Sequence, residues 1–212
     1  MKHDFQYVPR CEYLPIRKEL EKLINLVQDE LRDGYFTFSF TYIGSTHRKM
    51  ITRDVKGNTG YDFDVNIHVN DDDEDFSPEE IRRILKKAFD KHSRAFGYDF
   101  CEDSTRVLTI KRKDILGSRI LCSCDFAIVY DCDDGRQQYI HFNKKQKSYN
   151  WEYLTMSNTK LEERAEYLRK HNYLEKVREL YIYKKNLNDN QDKRSRSLYA
   201  ETINEIYQKY CK

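Results

Sequence analysis

Tyr61-Asp62-Phe63-Asp64-Val65-Asn66-Ile67-His68-Val69 alternates without a break between apolar and polar residues. A strand sends successive side chains to opposite faces, so Tyr61, Phe63, Val65, Ile67 and Val69 make a core face. Asp62, Asp64, Asn66 and His68 fall on the other face, which belongs to solvent or to chemistry. Upstream, Tyr35 to Ile43 reads as a second strand, with Phe36, Phe38, Phe40 and Tyr42 alternating with Thr37, Ser39 and Thr41 before Gly44-Ser45. Before that strand, Leu20, Leu23, Ile24, Val27 and Leu31 recur at helical spacing. They predict an amphipathic helix from Pro15 to Arg32, stopped near Gly34.

Downstream, Ser77-Pro78-Glu79-Glu80 combines an N-cap serine, a proline at the first helical position and a glutamate three residues after the cap. The helix it opens buries Ile81, Ile84, Leu85, Ala88, Phe89 and His92 and ends near Gly97. Arg106 to Arg112, Arg119 to Tyr130 and Gln137 to Phe142 read as strands, the last two joined at Asp133-Asp134-Gly135. Lys144, Lys145, Lys147, Tyr149, Trp151 and Tyr153 then form a basic and aromatic connector, suited equally to a nucleotide-stacking rim and to a plain surface. Thr159-x-x-Glu162 reads as another capping box. Helical content runs to near Lys185, the polar run Asn186 to Arg196 breaks it, and Tyr199, Ile203, Ile206 and Tyr210 predict a terminal helix. The expected class is α+β. Residues 1–143 would form a mixed sheet flanked by helices, and residues 144–212 the connector and a small C-terminal helical subdomain packed on it.

The 212 residues are enough for one sizeable core. With 38 basic against 36 acidic residues, the global field does not argue for nucleic-acid binding, so any basic site must be local. The six cysteines and an N-terminus without an apolar signal segment suit reduced thiols in a cytoplasmic setting, and Cys122-x-Cys124 is too tight for the usual zinc pairing. No stretch has the apolar length of a membrane span. The acidic run at 71–75 lacks the ligand spacing of a calcium loop and reads as a solvated loop.

Residues two apart on a strand point the same way, so Asp62 and Asp64 project as a pair. Two carboxylates held that close repel unless a cation or proton compensates them, and their hard oxygens suit Mg²⁺ or Mn²⁺. Asp125 lies within the apolar strand Leu121-Cys122-Ser123-Cys124-Asp125-Phe126-Ala127-Ile128-Val129, where a lone charge needs a partner. Three carboxylates can hold two metals, one at an acceptor hydroxyl and one bridging nucleoside triphosphate phosphates. Gly44 permits close backbone approach, and Ser45 adds a hydroxyl. Arg48 and Lys49 follow near enough to reach phosphates, and Lys160 opens a helix that could close over a nucleotide. His68 reads as a hydrogen-bonded structural histidine.

A strand ending in Gly44-Ser45, then Asp62-x-Asp64 on the next strand, then Asp125 on a later one resembles the nucleotidyltransferase superfamily, which has the DNA polymerase beta-like fold. Within it, the pattern is similar to the group of oligoadenylate synthases, cyclic-oligonucleotide synthases and antibiotic nucleotidyltransferases. The resemblance covers roughly Tyr35 to Val129. It implies transfer of a nucleoside monophosphate from a triphosphate to a hydroxyl with pyrophosphate release. Gly44 and Ser45 would touch the triphosphate, Asp62 and Asp64 would bind both metals, and Asp125 would bind the catalytic metal and help activate the acceptor. The partner is a nucleoside triphosphate; the acceptor, whether small molecule, nucleotide, RNA or protein, is left open. Asp62 follows Ser45 by seventeen positions, longer than many members, so Arg53 to Gly60 reads as an inserted loop. The alternatives are a catalytically silent nucleotide- or nucleic-acid-binding module of the same fold, regulatory or antitoxin-like, and a metal-dependent nuclease.

Overall fold

The computed structural model describes residues 3–71, 73–114, 116, 118–154, 159–190 and 192–211. In chain order its elements are β1 (Phe5–Tyr7), α1 (Arg10–Arg32), β2 (Thr37–Tyr42), α2 (Gly44–His47), β3 (Thr52–Asp54), β4 (Tyr61–Asn70), α3 (Pro78–Ser93), β5 (Glu102–Asp103), β6 (Val107–Asp114), β7 (Arg119–Asp131), β8 (Gln137–Asn143), β9 (Ser148–Tyr153), α4 (Thr159–Lys170), α5 (Leu174–Leu187) and α6 (Ser195–Tyr210). They gather into two units. One comprises Val8–Ile51 and Asn58–Leu154; the other comprises Met1–Tyr7, Thr52–Gly57 and Thr155–Lys212.

The first unit holds a seven-stranded mixed sheet in the order β2-β4-β7-β6-β5, with β8 pairing the far end of β7 and β9 pairing β8. Among the described residues only β4 and β7 run parallel in this sheet. The chain between them supplies α3, a helix of the kind a parallel connection requires. Ser77 and Glu80 make the reciprocal capping bonds expected of them, and a 3-10 turn at Arg94–Phe96 ends at Gly97 in the left-handed conformation. Tyr61, Phe63, Val65, Ile67 and Val69 are all buried and pack beneath Leu20, Leu23, Ile24 and Val27 of α1 and Leu85 and Phe89 of α3. The Phe89 ring stacks on Phe126 of β7 with centroids 4.2 Å apart. This core covers one face of the sheet and leaves the other to the polar half of each strand's alternation.

Several expectations need correction. α1 begins at Arg10, ahead of Pro15, which lies inside the helix. Burial of Tyr13 on its first turns stabilises the extension, although Pro15 cannot donate a backbone bond. The segment expected as a connector contains β9, so a boundary at 143/144 falls inside the β8/β9 hairpin. Tyr149 gives its hydroxyl to Asp103 at 3.1 Å, and Trp151 lies 6.0 Å from the Tyr130 ring. His92 is half-buried and bonds Glu30, so it does not join the buried stripe. Arg82 does join it. Its guanidinium meets Asp103 Oδ1 at 2.7 Å and the carbonyl oxygens of Ser104 and Val107, which compensates a buried charge.

In the second unit β1 pairs antiparallel with β3, so the expected inserted loop begins as a strand at Arg53 and Asp54. α5 packs on α6 and on β1, and α4 packs on α6. Thr159 is itself helical in α4 rather than its cap, and the four residues before it lie outside the described set, as does Asp72 of the acidic run. Among the described residues no helix is long and apolar enough to cross a membrane.

Candidate active site

The parallel register of β4 and β7 sets Asp62 opposite Ser123 and Asp64 directly opposite Asp125. On the other side of β7, Thr109 of β6 lies opposite Asp125 and Lys111 opposite Ser123. Residues opposite one another share a face, so Asp62, Asp64, Ser123, Asp125, Thr109 and Lys111 stand together on the face away from α1 and α3. Ser123 donates its hydroxyl to Asp62 Oδ1, and Thr109 donates to Asp125 Oδ1 at 2.6 Å. Sequence reasoning passed over Ser123, Thr109 and Lys111. Their only local signal is a polar residue at alternate positions, and nothing local says which strand lies beside which.

β2 delivers Gly44-Ser45 to the same place. The Ile43 N–H bonds the Asp64 carbonyl at 2.9 Å, the Met50 N–H closes onto the Ser45 carbonyl at 2.9 Å, and Gly44 takes a left-handed φ of 58°. A Cβ on Gly44 would sit 3.1 Å from Asp64 Cγ and closer still to its Oδ2. Glycine is therefore required for the backbone conformation and for the space. The Ser45 N–H donates to the Asp64 carboxylate, and the half-buried Arg48 guanidinium adds a favourable charge. Lys49 is exposed at φ 57°. Lys160 belongs to the other unit, exposed on the first turn of α4.

Burial, with the like charges of Asp125 and Asp62 added to it, pushes the Asp64 carboxyl up to about 6 in spite of Arg48 and the Ser45 amide. Asp125 is raised as well, by burial first, with the Thr109 hydroxyl opposing. A carboxyl whose folded pKa exceeds its unfolded value holds its proton more tightly when folded. Asp64 is therefore harmless below the unfolded value near 4 and destabilises the fold as pH rises through about 6. The full difference amounts to roughly 3 kcal/mol. Asp64→Asn should thus raise Tm at about pH 8 by on the order of 5 to 10 °C and leave it unchanged near pH 4. A gap between variant and wild type that does not vary with pH would overturn this account of the site's electrostatics.

The donor set suits a hard divalent cation, being three carboxylates on adjacent strands whose mutual repulsion nothing nearby fully compensates. Among the described residues, however, no three Asp, Glu, His or Cys side chains converge as a ligand group. The register sets the three aspartates on one face of adjacent strands, and Ser123, Thr109 and the Ser45 amide each donate to one of their carboxylates.

No protein-family model and no curated protein matches the chain. Solved structures do. The CD-NTase CdnG of Bradyrhizobium diazoefficiens in complex with GTP superposes with a TM-score of 0.51 at 14% identity, over 69% of this chain and 39% of that one. The cyclic AMP-GMP synthase DncV of Vibrio cholerae in complex with nonhydrolyzable GTP gives 0.57 at 16%, over 88% of this chain and 51% of that one. This chain has the nucleotidyltransferase fold. DncV in complex with the linear intermediate 5′ pppA(3′,5′)pG matches over 89% of this chain and 50% of that one, with a TM-score of 0.55 and 16% identity. The chain thus spans about half the length, or less, of these structures of the nucleotidyltransferase fold.

Proposed function

We propose that the protein is a metal-dependent nucleotidyltransferase moving a nucleoside monophosphate from a triphosphate to a hydroxyl acceptor. The observation that carries this reading is the pairing of Asp64 with Asp125 across parallel β4 and β7, with Asp62 beside them on the same face. In the reaction the acceptor hydroxyl gives up its proton to solvent, its oxygen bonds the α-phosphorus, and the bond from that phosphorus to the bridging oxygen breaks to release pyrophosphate. Bound Mg²⁺ or Mn²⁺ would lower the pKa of the acceptor hydroxyl and neutralise charge on the phosphates. Asp62, Asp64 and Asp125 are the residues to hold it.

The chain's own groups have separate tasks. Thr109 orients Asp125 and Ser123 orients Asp62, as hydrogen-bonded partners of ligating carboxylates do. The Ser45 amide, which now donates to Asp64, is a donor that phosphate oxygens could take over, with Arg48 adding charge. Such fixed donors act where negative charge accumulates in the transition state. The GTP and the linear dinucleotide named in the neighbouring structures favour a second nucleotide as acceptor. The six thiols, all free, suit a reducing cytoplasm.

The test supplies each labelled nucleoside triphosphate with Mg²⁺ or Mn²⁺, with nucleotides, RNA and small metabolites as acceptors, following pyrophosphate and labelled products. Metal-dependent pyrophosphate release matched by a labelled adduct is the expected result. Triphosphate binding without turnover under every acceptor would instead assign a silent nucleotide-binding module. Cleavage of RNA without pyrophosphate would assign a nuclease.

A further inference from the structure

The face that carries the aspartates continues past them. Thr41 of β2 lies opposite Asn66, so it stands on that face two residues along from Asp64 and one strand across, about 8 Å from backbone to backbone. Its hydroxyl is 2.8 Å from His68 Nε2, and His68 Nδ1 is 2.6 Å from Asp131 Oδ2. The other oxygen of Asp131 accepts from Gln137 Nε2 at 2.6 Å. A chain of bonds therefore starts on β8, crosses β7 and β4, and ends at an exposed hydroxyl on β2, beside the aspartates.

The order of protons along this chain follows from its anchored end. Burial raises the Asp131 carboxyl, but the bonds from Gln137 and His68 outweigh it and hold the group below its ordinary value, so it is ionised and can only accept. His68 Nδ1 must therefore carry a proton. In the neutral imidazole Nε2 then has a lone pair, and Thr41 has to donate to it. With the imidazole neutral, the Thr41 hydroxyl proton is committed to Nε2 and its exposed oxygen can still accept.

We propose that Thr41 Oγ1, oriented by His68 and Asp131, accepts a hydrogen bond from an N–H or O–H group on the nucleoside part of a nucleotide whose phosphates lie at Asp62, Asp64 and Asp125. This rests on the nucleotidyltransferase reading and adds to it the element that reads the nucleoside. His68 and Asp131 act as positioning residues. The donor is a base amino group or a ribose hydroxyl, and analogues distinguish the two.

The test is equilibrium binding of ATP, GTP, CTP and UTP, and of inorganic tripolyphosphate, each with saturating Mg²⁺ or Mn²⁺, to the full chain at about pH 8. Thr41→Val should weaken binding of at least one nucleotide by roughly fivefold to tenfold, the worth of one hydrogen bond, and leave tripolyphosphate unchanged. Thr41→Ser should restore binding to within about twofold, and adding His68→Asn to Thr41→Val should cost little more, since the two act through one bond. The gap should vanish for whichever analogue lacks the donor, the 2′- or 3′-deoxy triphosphate or the purine triphosphate without its exocyclic amine. Thr41→Val that binds every nucleotide as wild type does, or that loses tripolyphosphate equally, overturns the proposal. Wild type that binds neither nucleotide nor tripolyphosphate overturns the nucleotidyltransferase reading, and the role of Thr41 falls with it.

Discussion

Asp62→Ala, Asp64→Ala and Asp125→Ala should each lower nucleotidyl transfer by on the order of 10³-fold, equivalent to about 4 kcal/mol of transition-state stabilisation. The three stand on one face of two neighbouring strands, with Asp64 and Asp125 directly paired, so removing one disables a shared function. The effects should therefore not add. A double variant should be little slower than the worse single one, because groups that act as a unit lose most of their effect with the first deletion. Ser123→Ala and Thr109→Val, which leave the carboxylates in place and remove only their orienting hydroxyls, should cost roughly 10-fold to 100-fold. The measurement is the rate of pyrophosphate release at saturating triphosphate and metal. Full activity in any one of the three alanine variants would remove that carboxylate from the mechanism. Full activity in all three would end the reading.

The second large effect concerns Gly44, and Gly135 provides its control. Both glycines have left-handed backbones, at φ 58° and 77°. An added methyl at Gly135 meets nothing within 4 Å, whereas at Gly44 it would meet the Asp64 carboxylate. The left-handed conformation alone costs an L residue about 1 to 2 kcal/mol. Gly135→Ala should lose about that much. Gly44→Ala should lose roughly 3 kcal/mol, a fall in Tm of roughly 10 °C, because Asp64 must also swing off the Ser45 amide. The same displacement should reduce transfer by about 10²-fold or more, since it misplaces a carboxylate and the donor beside it. Equal losses of stability in the two variants, with activity kept in Gly44→Ala, would show that the contact with Asp64 does not matter.

Much of the sheet was legible because its code is local. The five apolar residues of β4 alternate over nine positions, and all five are buried beneath the helices. The Ser77 cap was equally plain, since both of its bonds are made within four residues. The strands that escaped notice have no such local support. β1 and β3 are three residues each and pair across some fifty positions. β9 hides its alternation of Tyr149, Trp151 and Tyr153 behind a lysine-rich turn, and its pairing to β8 is what makes it a strand.

The candidate site divides in the same way. That Asp62 and Asp64 share a face, and that Gly44-Ser45 ends a strand, are consequences of the two-residue period of an extended chain, so the sequence alone determined them. That Asp64 meets Asp125, that Thr109 and Ser123 hold the carboxylates, and that Thr41, His68 and Asp131 form one line of bonds were decided by tertiary structure. The physical reason is register. A shift of one residue between β4 and β7 would cost no local preference, yet it would put Asp64 opposite a residue of the wrong face, and only the packing of Phe63, Val65 and Ile67 together with Cys124, Phe126 and Ile128 in one core selects among the shifts.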